Sequence, residues 1–155
     1  ETDRLTAELS YQASHDALTG LINRREFERR LSESVSAAAH GSSTALLLYV
    51  DLDNFKAIND RHGHARGDAL LRAVAAVLAQ EAGSAGYAAR MGGDEFVLVM
   101  PGALVADGAE LEALRQRLES AIAALVEGAQ DSERRFGASV GIARIDGATG
   151  DVDQA

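Results

Sequence analysis

Arg90-Met91-Gly92-Gly93-Asp94-Glu95-Phe96-Val97-Leu98-Val99-Met100 sets a glycine pair and two acids directly before an apolar run. Gly-Gly between two extended segments predicts a two-residue hairpin, because tight hairpin turns need positive φ and glycine adopts it at little cost. The arms are then Tyr87–Met91 and Asp94–Met100. Phe96 to Met100 reads as a buried strand from its β-branched and aromatic content. Such a strand has no structural need for two acids at its mouth. Paired acids beside bare glycine backbone suit a metal ion and a phosphate.

The composition bounds what such a site can serve. With 155 residues and 46% hydrophobic content, the chain reads as one domain with a real core. It has no cysteine, which excludes disulfides, zinc-thiolate sites and thiol catalysis. The apolar stretches Ala45–Val50 and Ala73–Ala79 are too short to span a bilayer, and nothing resembles a signal peptide. The expectation is a soluble, cytoplasmic chain without direct membrane contact. A net charge of −9 argues against nucleic-acid binding, which needs a basic footprint. A single nucleotide neutralised by metal ions stays open. There is one proline, Pro101, and no internal repeat.

Working outward from the hairpin, the second acidic segment follows Ala45-Leu46-Leu47-Leu48-Tyr49-Val50, an apolar run of strand length. Asp51 and Asp53 come directly after it and are expected at the sheet's edge, where sites in mixed α/β folds form; solvated turn residues are the plainer alternative. Asn54–Asp60 reads as a short helical turn. Arg61–Asp68 reads as a glycine-punctuated loop, with Asp68 a candidate cap for the helix from Ala69 to Leu78. His62 and His64 are more simply loop residues than metal ligands, because no acid-rich histidine pattern surrounds them.

The remaining elements complete a sheet covered by helices. Glu1–Ser14 reads as a helix with a sparse stripe of Leu5, Leu9 and Tyr11, either frayed or arriving from an upstream module. Gly20 marks a turn, and Asn23 with Glu26 resembles a capping box for a helix burying Phe27, Leu31 and Val35, ending at His40-Gly41-Ser42-Ser43. Asp107–Glu110 is another capping pattern, before a helix with Leu111, Leu114, Leu118, Ile122 and Leu125 on one side. Arg135–Ile145 reads as a last strand, and the acidic 146–155 stretch as loose. The fold class is α+β, a ferredoxin-like or palm-type sandwich with a mostly antiparallel central sheet flanked by helices.

If Asp51 and Asp94 lie on adjacent strands, ~4.8 Å apart, their carboxylates could share a divalent ion. Magnesium favours one or two carboxylates with phosphate oxygens and water, and two such ions suit phosphoryl transfer. Lys56 and the Asn54–Phe55 amides offer phosphate contacts. Gly92 and Gly93 let a nucleotide approach the backbone. Alternation sends Glu95 to a different face from Asp94, for a second metal or for proton removal.

The hairpin stretch resembles the signature of GGDEF domains, the diguanylate cyclases of bacterial signalling. Asp16-Ala17-Leu18-Thr19-Gly20-Leu21-Ile22-Asn23-Arg24-Arg25, Asp51–Asp60, Gly63-His64-Ala65-Arg66-Gly67-Asp68 and Ser139-Val140-Gly141-Ile142-Ala143 agree with the family in its order. The resemblance implies condensation of two GTP into cyclic di-GMP, releasing two pyrophosphates. It implies Mg2+ or Mn2+, two per site, on Asp51, Asp94 and the carbonyl of Leu52. It implies that Asn59 and Asp68 read the guanine edge, and that Lys56 with the Asn54–Phe55 backbone holds phosphates. Glu95 would be the second acid, for metal or for activating the attacking 3′-hydroxyl. A second copy of the domain would complete the site, and residues 1–15 would be a signalling helix from a sensory module. Residues 16–155 would be the GGDEF domain without its C-terminal helix and last strand.

The family's inhibitory Arg-x-x-Asp positions are occupied by Gly83-Ser84-Ala85-Gly86, which predicts no product binding there. The competing reading is a non-catalytic GTP or cyclic di-GMP binding module on the same fold. A purely structural dimerisation domain would leave the acids unexplained.

Overall fold

The computed structural model describes residues 2–40, 44–101, 108–126 and 136–146. Its elements are α1 (Thr2–Ser14), α2 (Arg24–Ala39), β1 (Ala45–Asp53), α3 (Phe55–His62), α4 (His64–Ala82), β2 (Tyr87–Gly92), β3 (Glu95–Pro101), α5 (Gly108–Ala123) and β4 (Gly137–Ile145). Among the described residues the strands form one four-stranded sheet, ordered β2-β3-β1-β4. Every neighbouring pair is antiparallel. The α+β architecture with helices flanking an antiparallel sheet is therefore as expected. No helix among the described residues is long and apolar enough to cross a membrane.

β1 is central because its first half is apolar on both faces. Alternation sends Leu46, Leu48, Val50 and Leu52 to one side, where they pack with Phe55, Ile58, Leu70, Val74, Leu78, Leu118 and Ile122 from α3, α4 and α5. Ala45 and Leu47 face the other side, with Val97 and Val99, under Phe27, Leu31 and Val35 of α2. Complete burial of a leucine such as Leu48 contributes roughly 1.5–3 kcal/mol. Further along β1 the second face loses this cover. Tyr49 is 49% exposed, and Asp51 and Asp53 after it are also exposed. The acids thus belong to the strand itself, rather than to a turn after it, because Leu52 between them is still buried.

Asn23 caps α2 as its spacing predicts, its Oδ1 accepting from the Glu26 amide at 3.0 Å. The reciprocal half of the capping box is not made, because Glu26 turns to Arg29 and Arg30 instead. The expected 61–68 loop is helical apart from Gly63. Gly63 has φ +88 and ψ 163, a backbone region open almost only to glycine. One such residue suffices to end α3 and start α4. Asp68 consequently lies inside α4 and does not cap it; Gly63 occupies the cap position. The expected cap Asp107, residue Arg135 and the 147–155 tail lie outside the described residues. Leu114, Leu118 and Ile122 form the buried stripe of α5.

The hairpin also differs in one respect. Gly92 pairs with Glu95, so the two turn residues are Gly93 and Asp94, not Gly92 and Gly93. Gly93 supplies the positive φ, +34. Arg90 faces Phe96 and Gly92 faces Glu95, which leaves Met91 as an extra residue in a β-bulge. The bulge shifts the turn by one position and puts Asp94 at the tip.

Gly86 sits where α4 hands the chain to β2. A Cβ there would lie 2.6 Å from the Ala82 carbonyl oxygen and closer still to that of Val99. Both obstacles are backbone, which cannot swing aside as a side chain can. Gly86→Ala should therefore destabilise the protein by about 1–3 kcal/mol, read as a lower urea midpoint with an unchanged slope. An unchanged midpoint would mean that α4 and β3 are not this close.

Candidate functional site

The acids converge through the register of β1 and β3. Asp51 stands opposite Glu95 on β3 and Ser139 on β4. Directly opposed residues share a face, so Glu95, not Asp94, is the cross-strand partner of Asp51. The adjacent-strand position expected for Asp94 is thus taken by Glu95, because Asp94 is a turn residue and not part of the strand. Asp94 is still held at the site by its backbone: its carbonyl accepts the Leu52 amide at 3.1 Å. In an extended strand a residue's N–H and C=O project to the same side, so the Leu52 carbonyl also faces the hairpin. Asp53 shares the face of Asp51 and accepts from the Ser139 hydroxyl at 3.0 Å.

This crowding has an electrostatic signature. The Asp51 carboxyl is pushed above its ordinary value, first by partial loss of water and then by the negative charges of Asp94, Glu95 and Asp53. Asp94 exerts the larger effect of its two hairpin neighbours. Among the described residues no three Asp, Glu or His side chains converge as a metal-binding group. Asp51, Asp94 and the Leu52 carbonyl would make a site with few protein ligands, the kind magnesium uses when phosphate and water complete its shell. Hard oxygen donors under mutual repulsion fit such an ion, which would offset the negative neighbours that, after loss of water, raise Asp51.

Beside the acids, Asn54 adopts the left-handed conformation, φ 62 and ψ 24, the only non-glycine with positive φ among the described residues. Asparagine tolerates this region better than other side chains. A left-handed residue followed by helical ones turns successive N–H groups into an anion-binding hollow. The Asn54 side chain makes no cap hydrogen bond to the start of α3. Lys56 is exposed in the first turn of α3, and Asn59 lies three residues on, on the same helix face. Asn59 and Asp68 are both half-buried, and Asp68 follows Gly67, against which the Asn59 carboxamide rests. Gly92 and Gly93 are exposed at the tip, with open space where a Cβ would be.

One residue of the hairpin stretch has a role that its spacing did not reveal. The Arg90 guanidinium donates to the Gly93 carbonyl from Nε at 3.1 Å and Nη2 at 2.9 Å. Its Nη1 pairs with Asp16 at 3.3 Å. Asp16 also accepts from the Thr19 amide and hydroxyl at 2.9 and 2.8 Å. Burial pulls the Asp16 carboxyl upward, but the Thr19 bonds and Arg90 outweigh it and hold the group below its ordinary value. The Arg90 amide donates to the Ile22 carbonyl at 3.1 Å, joining the same loop to β2. The Asp16-to-Thr19 spacing is the one signal in the sequence; its partner is 74 residues away.

At the four positions upstream of β2, Gly83 has φ +67 and ψ −165, again nearly exclusive to glycine. With the close approach at Gly86, both ends of Gly83–Gly86 are glycine for reasons of backbone.

The family model described as diguanylate cyclase, GGDEF domain, matches residues 13–155. The Escherichia coli K12 protein named "Probable diguanylate cyclase DgcE" is 40% identical over 146 residues, 94% of this chain and 13% of that protein. Diguanylate cyclase DgcP of the same organism is 37% identical over 149 residues, 96% of this chain and 43% of that protein. The chain thus spans less than half the length of these relatives. Among solved structures, the coiled coil and GGDEF domain of Caulobacter crescentus DgcB in complex with c-di-GMP aligns with a TM-score of 0.75 at 28% identity, covering 92% of this chain and 76% of that one.

A carboxyl with a raised pKa in the folded state binds its proton more readily folded than unfolded. Its contribution to stability is therefore present below the ordinary aspartate value of 3.8 and is lost as pH rises through the raised value. Asp51→Asn should raise the thermal midpoint at pH 7 in metal-free buffer, with the gain shrinking as pH falls toward 3.8. A gain independent of pH would show that the ionised state of Asp51 is not its cause.

Proposed function

The chain belongs to the diguanylate cyclase GGDEF domain family, and from this we propose that it condenses two GTP molecules into cyclic di-GMP. In each half-reaction the 3′-hydroxyl oxygen of one GTP bonds to the α-phosphorus of the other. The bond from that phosphorus to the bridging oxygen breaks, and pyrophosphate leaves with the electron pair. The hydroxyl proton passes to a base. Two rounds close the ring and release two pyrophosphates. The observation that carries this reading is the bond from the Leu52 amide to the Asp94 carbonyl, which holds Asp51, Asp94 and Glu95 at one rim beside the start of α3.

Asp51, Asp94 and the Leu52 carbonyl would hold Mg2+ or Mn2+. The bound ions would supply neutralisation of the triphosphate and polarisation of the α-phosphate. Lys56 and the hollow at Asn54–Phe55 take phosphate oxygens. Asn59 and Asp68 accept and donate along the guanine edge, which separates GTP from ATP. Glu95, exposed and on the face of Asp51, is the group to receive the 3′-hydroxyl proton. Gly92 has ordinary φ and nothing near its missing Cβ, so no packing among the described residues explains a glycine there; a nucleotide passing over the turn does.

A GTP in-line with a second GTP needs a second copy of the domain, so the active form is a face-to-face dimer. The helix α1 exposes Leu5, Leu9 and Tyr11, a surface suited to bringing two copies together under an upstream sensory module. Residues 16–155 form the catalytic unit, working where GTP is available, in the cytoplasm. Cyclic di-GMP does not bind at Gly83–Gly86, because neither end can carry the Arg or Asp of the inhibitory motif without moving backbone.

Incubation of a dimerised form with GTP and magnesium, with product separated by chromatography, tests this reading. Cyclic di-GMP is expected, and Asp94→Ala should reduce its formation at least 100-fold, about the loss typical of removing a key electrostatic group. GTP binding without product would favour a regulatory module instead. Unchanged turnover in Asp94→Ala would refute its role.

A further inference from the structure

Asn59 and Gly67 meet where α3 crosses α4. The helices are joined by Gly63 alone, and a short ladder of backbone bonds links them: the Gly63 amide donates to the Asn59 carbonyl at 2.8 Å and the Gly67 amide to the Gly63 carbonyl at 3.2 Å. Gly67 is buried in the first turns of α4. A Cβ there would lie 2.9 Å from Asn59 Cγ, closer still to its Oδ1, and 3.3 Å from Phe55 Cζ. The Asn59 carboxamide therefore occupies the volume that any other residue at position 67 would fill.

Nothing in the backbone of α4 asks for this glycine. Gly67 has ordinary helical φ, and glycine in a helix interior is less favourable than alanine. Of the three atoms nearest its missing Cβ, all belong to side chains, two of them to Asn59. The reason for glycine is thus the carboxamide it accommodates. An amide lodged against bare helix backbone is confined to few rotamers, here at the residue that directly precedes Asp68 in α4.

We infer that Gly67 is a positioning residue for guanine selection: by lacking a side chain it lets the Asn59 carboxamide lodge end-on against α4, with Oδ1 at Gly67, and so fixes the orientation of the amide that reads the base. The inference rests on the proposed role of Asn59 in reading guanine. A methyl group at position 67 expels a flexible side chain rather than backbone. The expected result of Gly67→Ala is a folded protein with a misdirected Asn59.

The test compares the intact chain with Gly67→Ala, Asn59→Ala and the double variant, measuring magnesium-GTP and magnesium-ATP binding by calorimetry, with thermal midpoints. Asn59→Ala should lower the preference for GTP over ATP by about tenfold, the effect of losing a base contact. Gly67→Ala should reproduce that loss with a thermal midpoint equal to or above that of the parent. The double variant should bind GTP no worse than Asn59→Ala alone, since residues acting through one contact are not additive. If Asn59→Ala lowers the preference and Gly67→Ala does not, the positioning role is overturned while the reading of Asn59 stands. Additive losses in the double variant overturn it as well. If Asn59→Ala itself leaves the preference unchanged, the guanine-reading role fails and this inference fails with it.

Discussion

The register between β1 and β3 is the constraint on which the site depends. Asp51 lies opposite Glu95 and Leu52 binds the Asp94 carbonyl only in this register. A slip by one residue would reverse every side chain. Leu46, Leu48, Val50 and Leu52 would leave the helix-covered side, and Asp51 and Asp53 would enter it. The buried leucines thus fix where the carboxylates stand, and repulsion among the carboxylates is sustained by apolar burial further down the same strands. Stability and charge crowding are coupled along one pair of strands.

Incomplete cover of the sheet makes that crowding usable. α2 shields Leu47, Val97 and Val99 but not Tyr49, Asp51 and Asp53. Had the helix reached further, the acids would need neutral partners or protons. As it is, they stand in water at the sheet's rim, where a cation and a triphosphate have access. Around them the backbone departs from its easiest conformations. Asn54 is left-handed and Gly93 turns the hairpin, each next to an acid. Arg90 holds the Gly93 carbonyl and is itself held by Asp16. The rim is therefore braced from two sides, by the sheet and by the loop of residues 16–23.

Residue spacing is a good guide where a local rule governs. The apolar period of α2 and α5, the cap at Asn23 and the central strand from Ala45 are set by neighbours within one turn or one strand. Spacing is a poorer guide where one residue decides between two local outcomes. Eight polar and glycine-marked residues at 61–68 suggest a loop, yet a single glycine conformation at Gly63 takes up the whole turn. The glycine pair suggests its own turn, yet the bulge at Met91 moves the turn to Gly93-Asp94. In each case the backbone is settled by packing of the flanking elements, which local propensity does not contain.

From the sequence alone follow the class of the fold, the identity of the acidic and phosphate-binding candidates, and their resemblance to one family, because these depend on residue type and order. Only the tertiary structure decides which carboxylate faces which, that Arg90 reaches Asp16, and that Asn59 lies over Gly67. Those pairs are separated by between 8 and 74 positions in the chain, and their meeting depends on strand register and helix crossing. Such geometry arises from burying the whole core at once, and no short stretch of sequence carries it.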